Sequence, residues 1–130
     1  MTESNAQTIG RAYAAFAAGD VPGVLAVFSA GIAWHVPGRN PISGDYTGHD
    51  EVVGFFQQLG ERSAGTFNLE IHDILDNGED KVVVLVTETG ERNGTRTAAA
   101  AVHLWRVEDG KATSFQAFQA DDHEQDAFWS

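Results

Sequence analysis

Three turn signals cut the second half of the chain into long extended runs, and they restrict the fold more than any other feature. Asp76-Asn77-Gly78, Asn93-Gly94 and Asp109-Gly110 separate runs at 67–75, 82–92, 95–108 and 111–120. Asn-Gly and Asp-Gly tolerate positive φ in the tight turn of a hairpin, so the four runs are expected to form an antiparallel meander. Such a sheet is stable only if something covers its apolar face.

The first half supplies the cover. Ser4 with Gln7 three residues later is a capping box, and behind it Ile9, Ala12, Tyr13 and Phe16 line one face of a helix that ends near Gly19. Asp20 is placed to cap a shorter helix that tolerates Pro22 in its first turn and presents Val24, Leu25 and Phe28. Residues 32–36 form a strand candidate. The Pro- and Gly-rich stretch 37–48 is expected to carry no regular structure, and Val52, Phe55, Phe56 and Leu59 then mark a third helix over about 49–62. The order is α-α-β-α-β-β-β-β, an α+β class with a curved, mostly antiparallel sheet against helices. A length of 130 residues fits a single domain over 1–130.

Composition narrows the partners. A formal net charge of -11 repels nucleic-acid phosphates and anionic lipid, and Arg11, Arg39, Arg62, Arg92, Arg96 and Arg106 are scattered rather than clustered. No apolar stretch approaches the roughly 18 residues of a membrane span. No cysteine is present, which removes disulfides, thiolate nucleophiles and Cys-ligated metals. The N-terminus shows no secretory pattern, so a cytoplasmic location is expected. A neutral organic ligand or a protein partner is expected, with no nucleic acid and no membrane.

Candidate chemistry lies at strand positions. Trp34-His35-Val36 runs into Pro37-Gly38 and places a near-neutral titrating group at a strand end. Strand alternation sends Trp34 and His35 to opposite sides, and only one of them can face the space between sheet and helices. The same alternation groups Ala101, His103 and Trp105 on one face, and separates Phe115, Ala117, Gln119 and Asp121 from Gln116, Phe118, Ala120 and Asp122. The alanines 98–101 either leave open volume beside His103 or let another element approach the sheet. Asp121 to Asp126 reads as a solvated acidic tail rather than a metal site, although Asp121, if partly desolvated, has the chemistry of a general acid-base. The nucleophile-elbow, P-loop, dinucleotide and His-Glu-x-x-His signatures are all absent.

Together, Trp34 to Gly38, Gly44-Asp45-Tyr46-Thr47-Gly48, Gly65-Thr66-Phe67, His72-Asp73-Ile74-Leu75, Val102 to Val107 and the ending Asp121 to Trp129 resemble the SnoaL-like, ketosteroid-isomerase-related proteins of the nuclear transport factor 2-like superfamily. The resemblance covers nearly the whole chain. It implies a cone in which the sheet wraps a long N-terminal helix, a ligand cavity at the open end, frequent homodimerisation through the outer sheet face and, in most members, no cofactor; the expected partner is a small apolar or carbonyl-containing molecule, with no cofactor and no metal. Members include polyketide cyclases, ketosteroid isomerases, epoxide hydrolases resembling the limonene enzyme, and proteins without known catalysis. Carried over by position, the catalytic candidates are Asp121, His35 and His103, and the substrate-binding candidates are Tyr13, Phe16, Trp34, Trp105 and Phe118. Asp45 and Tyr13 are the stand-ins for an isomerase's acid and tyrosine; Arg106 and Asp121 supply part of an epoxide-hydrolase set. The expected function is a pocket for a small molecule, as a cofactor-independent cyclase or isomerase moving a proton beside a carbonyl. The alternatives are a non-catalytic binder of an apolar metabolite, an epoxide-hydrolase-like enzyme, and a structural dimer module.

Overall fold

In the computed structural model, which describes residues 3–130, the capping box forms as the spacing requires. The Ser4 hydroxyl accepts from the Gln7 amide at 3.1 Å and the Gln7 side chain accepts from the Ser4 amide at 2.8 Å, opening helix α1 (Asn5–Ala17) with Ile9 and Ala12 buried. Asp20 caps α2 (Val21–Leu25) through the Gly23 amide. Strand β1 (Phe28–Val36) starts four residues before the apolar run seen in sequence. The added residues are held by a parallel neighbour distant in sequence, with Phe28 paired to Ala112 and a bulge before Ala33.

The stretch 37–48 corrects an expectation, because it contains β2 (Gly44–Thr47), antiparallel to β1 with Trp34 opposite Tyr46. Four residues that begin with Gly44 and Asp45 carry little strand propensity, and only the ladder offered by β1 makes them extended. Helix α3 (Gly48–Arg62) follows and buries Val52, Phe55 and Leu59. The meander is β3 (Asn68–Asp76), β4 (Lys81–Arg92), β5 (Thr95–Glu108) and β6 (Lys111–Gln119). Both residues of its two tight turns have positive φ, Asn93 at 52° with Gly94 at 79° and Asp109 at 51° with Gly110 at 75°, the geometry that matches strand twist in a two-residue hairpin.

The tail is the second correction. Asp121 to Glu124 are exposed as expected, but the run is not an irregular tail: it starts α4 (Asp122–Trp129), capped by the Asp121 carboxylate on the Glu124 amide at 3.0 Å. Asp122 and Glu124 in its first turn favour the positive end of the helix dipole. Gln125, Phe128 and Trp129 are buried, a spacing that places them on one face.

Among the described residues six strands lie in the order β2-β1-β6-β5-β4-β3, and only the β1–β6 pairing is parallel. The result is a mixed α+β fold in which a curved open sheet carries α1 against β3 and β4, and α3 against β1 and β2. Ile32, Trp34, Val82, Val84, Val86, Trp105, Phe115 and Ala117 project from the sheet into the core. No helix of the described residues is long and apolar enough to cross a membrane.

Candidate functional site

Between the sheet and the helices lies a cavity walled by aromatic rings. Trp34 stacks on Phe115 with centroids 3.8 Å apart, Trp105 meets both edge-on, and Phe28, Phe55 and Phe56 close around Trp34. The cavity leaves about 80 Å³ in which the centre of a water molecule can move, and its mouth opens to solvent. That is room for a compact ligand within mostly apolar walls.

One polar chain crosses this apolar space. Trp105 Nε1 donates to the Tyr13 hydroxyl at 3.0 Å; that hydroxyl lies 2.6 Å from His103 Nδ1, and His103 Nε2 lies 3.1 Å from Glu88 Oε2. Gln119 Nε2 donates to the second Glu88 oxygen at 2.7 Å. The ends assign the direction of the chain, since an indole and an amide N–H can only donate and a carboxylate only accepts. His103 therefore gives its Nε2–H to Glu88 and receives the Tyr13 O–H at Nδ1. Burial pushes the Tyr13 phenol well above its usual range; the Trp105 hydrogen bond works against that shift and the Glu88 charge adds to it. Tyr13 stays protonated at neutral pH and acts as a donor.

Local sequence explains each position. Tyr13 lies on the inward face of α1 with Ile9 and Ala12. His103 and Trp105 share the inner face of β5, where His103 pairs with Val84 and Ala117 and the Tyr13 ring of α1 stacks over it. Glu88 was missed by sequence reasoning, yet it continues the inward series Val82, Val84 and Val86 by the same two-residue step. A carboxylate in register with three buried valines was the available signal.

The sequence candidates separate by face. Tyr13, Phe16, Trp34, Trp105 and His103 line the cavity. His35 does not, because alternation gives the inward position to Trp34; the His35 ring pairs with Asp45 at 2.6 Å on the outer face, with the two side chains 44% and 83% exposed. Asp121 is exposed and its carboxylate caps α4, so it faces no cavity. Phe118 is 44% exposed, whereas its neighbour Gln119 turns inward to Glu88. The roles expected of His35, Asp121 and Phe118 at the pocket are therefore withdrawn. Arg106 also points outward, to Asp80, which separates it from the cavity.

Two segments close the cavity, the irregular stretch 37–43, expected to lack regular structure, and α4, which the sequence reading missed. Pro37, Asn40 and Ile42 line it from one side, and Gln125 and Trp129 of α4 from the other. Asp126 ties them together, accepting from the Arg39 amide and the Asn40 side chain, both at 2.8 Å. These two hydrogen bonds hold its carboxyl below the usual range, the Arg39 amide foremost. Among the described residues, no group of three or more His, Cys, Asp or Glu is placed to hold a metal ion.

Comparison with known proteins agrees with this architecture. Bal32a, from a soil-derived mobile gene cassette, superposes with a TM-score of 0.94 at 29% identity, over 97% of this chain and 96% of its own. An NTF2-like protein of unknown function from Burkholderia pseudomallei gives 0.88 at 31% identity over 99% of both chains. TerC, co-crystallized with polyporic acid, gives 0.84 at 25% identity over 97% of this chain and 98% of its own. The model of the SnoaL-like domain matches residues 9–115. With that match over most of the sequence and an NTF2-like relative similar along its whole length, the chain belongs to the SnoaL-like family of the NTF2-like superfamily.

Proposed function

We propose that this protein moves a proton on a small carbonyl compound held in the aromatic cavity, without a cofactor, as cyclases and isomerases do. The observation that carries the reading is the Tyr13–His103–Glu88 chain, a reacting group, a base and an orienting carboxylate in hydrogen-bond sequence inside an apolar pocket. The Tyr13 hydroxyl takes a proton from the carbon beside the carbonyl as it passes its own to His103 Nδ1, leaving an enolate and an imidazolium. Glu88 balances the imidazolium, and Gln119 and the β5 backbone hold Glu88 and His103 in place. Reversal through Tyr13 returns the proton to the same or a neighbouring carbon. Because tyrosinate is strongly disfavoured at this buried position, the transfer to His103 must accompany the abstraction rather than precede it. That TerC was co-crystallized with polyporic acid supports a small-molecule occupant for this fold.

The test is deuterium exchange at the α-carbon of 1-tetralone in D2O, followed by proton NMR. The parent protein should accelerate exchange, and Glu88→Gln should lower the rate by about 10²- to 10⁴-fold, the usual worth of positioned acid-base catalysis. A parent that binds 1-tetralone or related ketones and exchanges none of them would make the pocket a binding module instead. We further propose that two copies pair through the outer face of the sheet, where Leu75, Leu85 and Phe118 are exposed.

A further inference from the structure

A second hollow lies between α1 and the edge strand β3, and the proton-transfer chemistry makes no use of it. It leaves about 360 Å³ in which the centre of a water molecule can move, against about 80 Å³ in the aromatic cavity. Tyr13, Phe16, Phe67 and Leu69 wall both spaces, and Ile71 and Ile74 of β3 complete the second opposite Gly10 and Ala14 of α1. Ile71 is 36% exposed, so part of this apolar wall is left to solvent. A glycine inside a helix is destabilising relative to alanine, and a methyl group at Gly10 would meet only Ile74 Cδ1 at 3.8 Å, an ordinary contact. Packing therefore does not require the glycine, and its effect is a wider hollow.

Its two ends differ. The start of α1 is tied to the end of β3 and the turn beyond it, where the Ala6 amide donates to Asp76 Oδ2 at 3.0 Å and Asn5 Nδ2 donates to the Glu79 carbonyl at 2.8 Å. At the other end Phe16 meets Phe67 and Asn68 begins β3, and no hydrogen bond joins helix to strand there among the described residues. From Gly10 to Ala17 the helical wall extends roughly 10 Å at about 1.5 Å per residue. A hollow of this length, closed at one end, suits an extended aliphatic chain that enters tail first. No Asp, Glu, Lys, Arg or His lines it; its polar side chains are Asn68 and Tyr13, and the Tyr13 hydroxyl is already engaged by Trp105 and His103. Asp76 stands at the closed end and the chain carries a net charge of -11, so an anionic head group is repelled. A neutral head at the open end meets the Asn68 amide, which can both donate and accept.

We propose that this hollow is a second binding site, which takes a neutral aliphatic alcohol with an unbranched chain. The hydroxyl lies on the Asn68 amide and the tail runs between Ile71, Ile74 and Gly10. Each methylene laid against this wall leaves water, which is worth about fourfold in affinity. The site stands apart from the Tyr13–His103–Glu88 chemistry and does not depend on it.

Isoleucine-methyl NMR of the purified chain tests the site, because Ile71 and Ile74 line the hollow whereas Ile42 lines the aromatic cavity. The probes are butan-1-ol, hexan-1-ol, octan-1-ol and octanoate. Octan-1-ol should shift Ile71 and Ile74 and leave Ile42 in place, affinity should rise about fourfold per methylene along the alcohol series, and octanoate should bind more weakly than octan-1-ol. Ala14→Phe, at an exposed position that lines the hollow and not the cavity, should abolish the gain with chain length and leave isotope exchange on 1-tetralone as in the parent. Asn68→Leu should weaken the three alcohols alike, by up to about tenfold, and keep the gain per methylene. Shifts at Ile42 instead of Ile71 and Ile74, affinities that ignore chain length, a gain with chain length that survives Ala14→Phe, tighter binding by octanoate, or binding of none of the four would each overturn the proposal. Shifts at Ile71 and Ile74 that follow protein concentration rather than added alcohol would assign the hollow to a second copy of the chain and overturn it as well. The alcohol series on the unaltered protein decides the matter even if a variant fails to fold. Failure here leaves the proton-transfer reading standing, and absence of isotope exchange leaves this site standing.

Discussion

At Tyr13 one hydroxyl satisfies two neighbours, accepting from the Trp105 indole and donating to His103. Tyr13→Phe keeps the ring and strands both partners, so urea denaturation should report a loss of about 1–3 kcal/mol, and the exchange activity should fall to the level of Glu88→Gln. The phenol also sets a sign at high pH. Its folded pKa is raised, so its contribution is complete below the unfolded tyrosine value of about 10 and is lost as pH climbs above it. Stability of the parent should therefore fall more steeply than that of Tyr13→Phe above about pH 10, and parallel slopes would contradict the burial of this group. His35 is the contrast. Half-exposed and paired only with a surface aspartate, it should tolerate His35→Ala with unchanged exchange activity and a stability change under about 1 kcal/mol. In sequence the two histidines looked alike, each among apolar residues, and a single step of strand parity separates them.

At the scale of elements, α4 and the β1–β2 connection form one unit joined by Asp126. Gly38 lies at φ 100°, and a Cβ there would overlap the Asp126 carboxylate, so Gly38→Ala should displace the same contact from the other side. Asp126 has a lowered folded pKa, with the Arg39 amide and Asn40 as its main partners and His123 and Arg39 as nearby charges. Its contribution is present above the unfolded carboxyl value of about 4 and disappears as pH falls through the folded value. Hydrogen exchange should show α4 and residues 37–43 opening together below about pH 4. In Asp126→Ala they should be open already at neutral pH, and independent opening of the two segments would refute the coupling. Neither element was legible beforehand: β2 exists only through its ladder with β1, and the burial of Phe128 and Trp129 depends on a wall supplied by distant strands. The hairpins were legible because their turns need positive φ at two adjacent residues, a local requirement that Asn-Gly and Asp-Gly meet by themselves.

Across the whole molecule the sheet has two apolar faces, and only the concave one is covered by helices. Leu75, Leu85 and Phe118 on the other face are exposed, with Val83, Val102 and Leu104 half-buried among them. Sedimentation should find a dimer, and Phe118→Asp should convert it to a monomer that keeps its fold by circular dichroism; a monomeric parent would rule out this interface. The sequence by itself determined the α+β class, the capping of α1, the meander with its turns, and the aromatic character of the inner face, because helix periodicity, strand alternation and turn chemistry act over a few neighbouring residues. Tertiary structure alone decided that Trp34 rather than His35 faces inward, that Glu88 and Gln119 meet His103, and that Asp121 ends as a helix cap. Those outcomes depend on the register between strands far apart in the chain and on the bulges that shift it, and a displacement of one residue exchanges every side chain between core and solvent.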